Sequence, residues 1–136
     1  MHIHSYTDLI RAALQQDQPQ RLLFVFAKAE LPSGHTDKQK QGFEQGNGGA
    51  LAPVLCVDKL PQEAADFCTL VEESRHTGQD WDIVFVSAMQ GRAGIAPNSD
   101  EAVHPLHMMM NKIQSGMIGD FLTFTREGEL VALAPG

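Results

Sequence analysis

A chain of 136 residues, 43% apolar and 20% charged, is the size of one domain and can bury a core without disulfide or metal staples. A formal net charge of −7 excludes the basic stripe that tracks a phosphate backbone, so nucleic acid is not an expected partner. Cys56 and Cys68 form neither a CxxC pair nor a zinc-finger spacing and read as reduced thiols. The amino terminus lacks a basic head followed by an apolar run, and no run approaches the roughly 18 apolar residues of a membrane span. A cytoplasmic protein with no membrane partner is the expectation.

Ser5, with Asp8 three residues on, resembles a capping box. Tyr6, Leu9, Ile10, Ala13 and Leu14 then repeat at helical spacing to about Gln16. Residues 22–27 (LLFVFA) form a continuous apolar run of strand length. Residues 30–49 are polar and glycine-rich and contain His35; a stretch this long predicts a functional flap or a disordered loop. Residues 53–57 (PVLCV) read as a short buried strand that makes Cys56 a core residue. Pro61 suits a first helical turn, and Ala64, Phe67, Cys68 and Val71 predict the inward stripe of a helix ending at Gly78.

Residues 81–89 (WDIVFVSAM) organise the rest. Ile83 to Val86 leave no polar face, which predicts a central strand with Phe85 and Val86 buried on opposite sides of the sheet. The loop QGRAGIAP follows. Pro105 forbids a helix interior at its own position, so the long helix is expected to begin at Val103 or His104. Leu106, Met109, Met110, Ile113 and Met117 would face the sheet, and Gly116 would end the helix. Residues 121–125 and 130–133, joined across Gly128, read as an edge hairpin with one wetter face.

This order predicts one α/β domain, 1–136: a five-stranded mixed sheet, mostly parallel, with helices on both faces and a C-terminal β-hairpin at its edge. Parallel strands share a carboxyl edge, where open α/β sheets hold ligands. That edge would collect Lys28 and Glu30, Asp58 and Lys59, Gly91, Arg92 and Gly94, with His104 returning near it. Arg92 is the natural forked donor to a small anionic ligand. The competing reading is that strand exits are polar because they meet water.

Other constellations are weaker. Asp100, Glu101, His104 and His107 can be drawn as a metal set, but the spacing and Pro105 argue against it, so no metal or other cofactor is expected. The loop GRAG is neither a Walker loop nor a dinucleotide fingerprint, and no Ser, His and Asp order points to a catalytic triad. The methionine-rich run at 108–110 reads as adaptable core, with Met108 open to a subunit contact.

Three segments, RLLFVFAKAELP, GGALAPVLCVDK and VEESRHTGQDWDIVFVSAMQGRAG, resemble a family of short bacterial proteins with no established function. Members are sometimes labelled as a ribonucleotide reductase alpha subunit. That catalytic subunit is a far larger barrel enzyme with a radical-bearing cysteine and a redox cysteine pair, and two separated cysteines do not supply the set. The resemblance implies no site residues. The functional expectation is a binding or interaction module, self-associating or holding a small anion. The alternative is a small enzyme with Asp58 or His104 as acid or base and Arg92 as anion clamp.

Overall fold

The computed structural model describes residues 3–30, 50–119 and 121–131. The 31–49 part of the expected flap, His35 included, lies outside them. Helix α1 (Tyr6–Leu14) begins where the sequence places it: Ser5 is the N-cap, and its hydroxyl accepts from the Asp8 amide. The Asp8 carboxylate reaches one residue further back than a capping box requires and accepts from the His4 N–H at 3.0 Å. Strands β1 (Gln20–Glu30) and β2 (Ala50–Lys59) follow. A 3-10 turn (Pro61–Ala64) then leads to helix α2 (Phe67–Arg75), strand β3 (Ile83–Gln90) and helix α3 (Ser99–Gln114). The hairpin β4 (Leu122–Thr125) and β5 (Leu130–Val131) closes the order, turning at Gly128 with φ +82°.

The five strands lie in the order β2-β1-β3-β4-β5, and every neighbouring pair is antiparallel. The mostly parallel sheet is therefore wrong. The α2 crossover does link two strands of like direction, β2 and β3, but β1 runs between them in the opposite sense. Unbroken apolar runs report that both faces of a sheet are covered, and helices cover both faces here without any parallel pair.

One face packs under α1, the 3-10 turn and α2. Leu22, Phe24 and Phe26 of β1, Val84 and Val86 of β3, and Phe124 meet Tyr6, Leu9, Ile10, Leu70 and Trp81 there. Tyr6 meets Phe67, and Phe26 meets Trp81, edge to face with centroids 4.8 Å apart in both pairs. The Trp81 indole N–H donates to the Ser74 hydroxyl at 2.9 Å, so the largest buried side chain carries its polar atom satisfied. On the other face Leu23, Val25, Ala27 and Phe85 pack under Ala102, Leu106, Met109 and Ile113 of α3. Phe85 and Val86 are buried on opposite faces, as the sequence predicts, and β3 is the middle strand.

Helix α3 corrects the second expectation. It starts at Ser99, not at Val103 or His104, because Asn98 and Glu101 form a complete capping box in front of it. Pro105 sits inside the helix, where its ring denies the Glu101 carbonyl a partner. Burial of Ala102 ahead of the proline, in line with Leu106, Met109 and Ile113, offsets that loss. Met117 lies beyond the helix and is exposed rather than facing the sheet. Gly116, at φ +79°, terminates it as expected; its N–H donates to the Ile113 carbonyl while that of Met117 reaches Lys112. Pro105→Ala restores one helical bond and is expected to raise stability by about 1–2 kcal/mol, the helix-interior proline penalty less the entropy a proline removes from the unfolded chain. Urea denaturation measures it, and an unchanged midpoint would mean that the helix has already relaxed around the ring.

Both cysteines are exposed, not core. Cys68 misses the inward face of α2 because the expected helix breaks after Ala64 and restarts with Asp66 as N-cap, turning Leu70 and Ser74 inward instead. Cys56 is exposed because β2 is an edge strand. Among the described residues no helix is long and apolar enough to cross a membrane.

Candidate functional site

An antiparallel sheet has no common carboxyl edge, and the eight expected site residues divide accordingly. Lys28 and Glu30 pair with Ala52 and Ala50 at one end of the sheet. Asp58, Lys59, Gly91, Arg92 and Gly94 lie at the other end, where β2 and β3 finish beside the start of β1. Exposed His104 lies on α3.

Even the five at one end do not converge. The Lys59 ammonium pairs with Glu73 of α2 at 2.7 Å, on the α1–α2 face. Asp58 is held on the opposite face by a residue the sequence reading missed. Arg21 donates to the Asp58 carboxylate at 2.6 Å and, through Nε, to the Pro97 carbonyl at 2.6 Å. Ser99 donates to the same carboxylate oxygen at 2.7 Å. The cluster ties β1, β2 and the entry to α3 together, with Arg21 and Asp58 side chains only 13% and 18% exposed. Arg21→Met is expected to cost about 1–3 kcal/mol by leaving this carboxylate with one donor, measured by denaturation in urea. A cost near zero would show the cluster to be a surface pairing of no structural weight.

Arg92 stands on a tight turn. Its amide and carbonyl exchange bonds of 3.0 and 2.9 Å with Ile95, and Ala93 and Gly94 between them hold φ of 54° and 79°, the positive pair of a type I′ turn. The Gly94 N–H donates to the Gln18 side chain at 2.9 Å. Gly91 serves close approach: its amide donates to the Pro19 carbonyl at 2.8 Å. The two glycines thus shape a turn and pack it against the start of β1. Among the described residues no three His, Cys, Asp or Glu side chains are grouped to hold a metal.

A different feature combines shape with unused bonding capacity. The Gly91–Pro19 bond continues the β1–β3 register, so the odd-numbered residues of β1 bond toward β3 and the even-numbered ones toward β2. Their β2 partners are Lys59, Val57 and Leu55, opposite Leu22, Phe24 and Phe26. Cys56 and Asp58, between them, therefore direct their backbone N–H and C=O away from the sheet. Nothing pairs with β2 on that side among the described strands. A register shift between Phe26 and Ala27, with Pro53 just beyond it, interrupts the edge toward its start. What remains open is a short strand, 54–59.

Beside this edge, on the α2 face, lies a groove of about 200 Å³. Phe26, Leu55, Val57 and Leu70 give it an apolar lining, joined by Cys56 of the edge, by Glu73 and Ser74 of α2 and by Thr77 of the turn that follows the helix. Leu70 and Glu73 share one side of the helix through their 3-residue spacing, and Thr77 follows in the turn after it. Partial burial, and secondly the Asp58 carboxylate, push the Cys56 thiol above its ordinary range, away from nucleophilic duty. A larger hollow of about 400 Å³ lies over β4 and β5 among Ile118, Phe121, Thr123 and Val131. It adjoins in sequence position 120 and residues 132–136, which lie outside the described residues.

Sequence reasoning missed the edge because nothing in PVLCVDK states which neighbour is absent. The available signal was Pro53, a residue that strand interiors exclude and edges accept. No protein-family model matches the chain, and neither a curated protein nor a solved structure shows significant similarity to it.

Proposed function

We propose that the protein is a polypeptide-binding module, taking a short extended segment along the free edge of β2 and seating its alternate side chains in the groove against α2. The outward backbone groups of Cys56 and Asp58 beside an apolar groove carry this reading. In strand addition, main-chain bonds supply affinity and pockets for every second side chain supply selectivity. Both halves are present here within a few residues. Leu55 and Val57 point into the groove face, while Pro53 and the register shift confine pairing to 54–59.

Cys56→Pro tests the reading. Its N–H points outward, so proline there removes a docking bond without removing a bond to β1. Extended peptides selected on the wild-type protein from a random display library should lose binding to Cys56→Pro, whose melting midpoint should stay near that of the wild type. Peptides that bind both proteins equally, or a selection that yields none, would refute it.

A further inference from the structure

We infer that the segment this edge takes is a cationic stretch of another protein, with apolar side chains two residues apart and Lys or Arg flanking them; the inference rests on the edge-docking reading. A docked strand alternates its side chains. Those facing the groove lie beside Leu55 and Val57, and those between them emerge on the face where the register sets Cys56 opposite Val25 and Asp58 opposite Leu23. Two successive groove-facing positions therefore want apolar groups.

The flanking charge follows from the segment that walls the groove. From Pro61 to Arg75 the exposed acids are Glu63, Asp66, Glu72 and Glu73, against Arg75 as the single base. Arg75 is already paired with Glu72 at 3.0 Å, and Lys59 with Glu73 at 2.7 Å. The segment from Lys59 to Arg75, which carries the helix wall of the groove, keeps two more acids than bases in a chain whose net charge is −7. Complementary charge speeds encounter and rejects like-charged partners. A second copy brings the same negative charge to the same edge, so self-pairing works against this field.

Three synthetic peptides separate the possibilities: Lys-Val-Thr-Val-Thr-Lys with blocked ends, its counterpart with Glu in place of both Lys, and the basic composition rearranged so that its valines are adjacent. Fluorescence anisotropy should show the first binding about tenfold or more tighter than the second, weakening as salt rises. Glu73→Gln should reduce that preference several-fold. Equal binding of the basic and acidic peptides overturns the charge inference and leaves edge docking standing. Equal binding of the rearranged peptide shows unspecific attraction and overturns both. If no peptide binds, sedimentation decides the occupant: a dimer abolished by Cys56→Pro makes it a second copy, and a monomer at every concentration removes the partner and the edge reading together.

Discussion

Phe85→Ala is expected to lower the stability of this protein by about 3–5 kcal/mol, among the largest effects of any single truncation in the chain. Phe85 is fully buried on the middle strand, flanked by β1 through Val25 and by β4 through Thr123. Its ring sits under α3 and meets Phe121 edge to face, with centroids 6.3 Å apart. Removing it leaves a void that neither a paired strand nor a capped helix can collapse into cheaply, so the cavity adds to the lost transfer energy. A domain stabilised by 5–15 kcal/mol would lose a large share of its margin. The melting midpoint should fall by roughly 10 °C or more. Phe85→Leu, which keeps most of the volume, should cost less than about 1.5 kcal/mol. If the two variants melted together, Phe85 would not be the tightly packed centre that its burial implies.

Gly91→Ala is expected to be nearly as damaging, for a different reason. A Cβ at Gly91 would lie 2.2 Å from the Ile95 carbonyl oxygen, 2.6 Å from that of Pro19 and 3.0 Å from the Ala96 Cα, all backbone atoms. No rotamer change relieves such contacts, so the turn must lift from the start of β1 and stretch the Gly91–Pro19 bond. A cost of about 3 kcal/mol, the upper part of the range for overpacking, follows. Gly94→Ala is the internal control. It has nothing within 4 Å of its Cβ and pays only for a φ of +79°, on the order of 1–2 kcal/mol. Urea midpoints for the two variants should differ accordingly. A Gly94 variant less stable than the Gly91 variant would assign the loop's glycines to backbone freedom alone.

The candidate anion site shows how far local reasoning reached. Arg92, Gly91 and Gly94 were legible as a sharp turn after a buried strand, and they are one. Their company was not legible. Asp58 and Lys59 are neighbours in the chain, yet the pleat sends one side chain toward Arg21 and Ser99 and the other toward Glu73. Lys28 and Glu30 belong to the far end of the sheet because β1 runs against both of its neighbours. The edge groove was invisible for a related reason: Leu70 and Val57 meet only after α2 has been placed over β2.

The sequence by itself determined where the strands and helices lie, the Ser5 cap that starts α1, and that both faces of the sheet are covered. Apolar periodicity, Ser5, Gly116 and Gly128 act over a few residues, and their consequences are readable over the same distance. The direction of each strand, the identity of the edge and the start of α3 were decided by tertiary structure. An apolar run buries equally well in parallel and antiparallel company, so composition is silent on the choice. Pro105 looked like a helix boundary because its local cost is certain, whereas the burial of Ala102 on the inner side of α3 that offsets it exists only once the helix lies on the sheet. Cys56 looked buried within PVLCV because a continuous run signals covering on two faces. It cannot signal which flank lacks a neighbour: among the described strands β2 has none on its outer side, and Cys56 is exposed there.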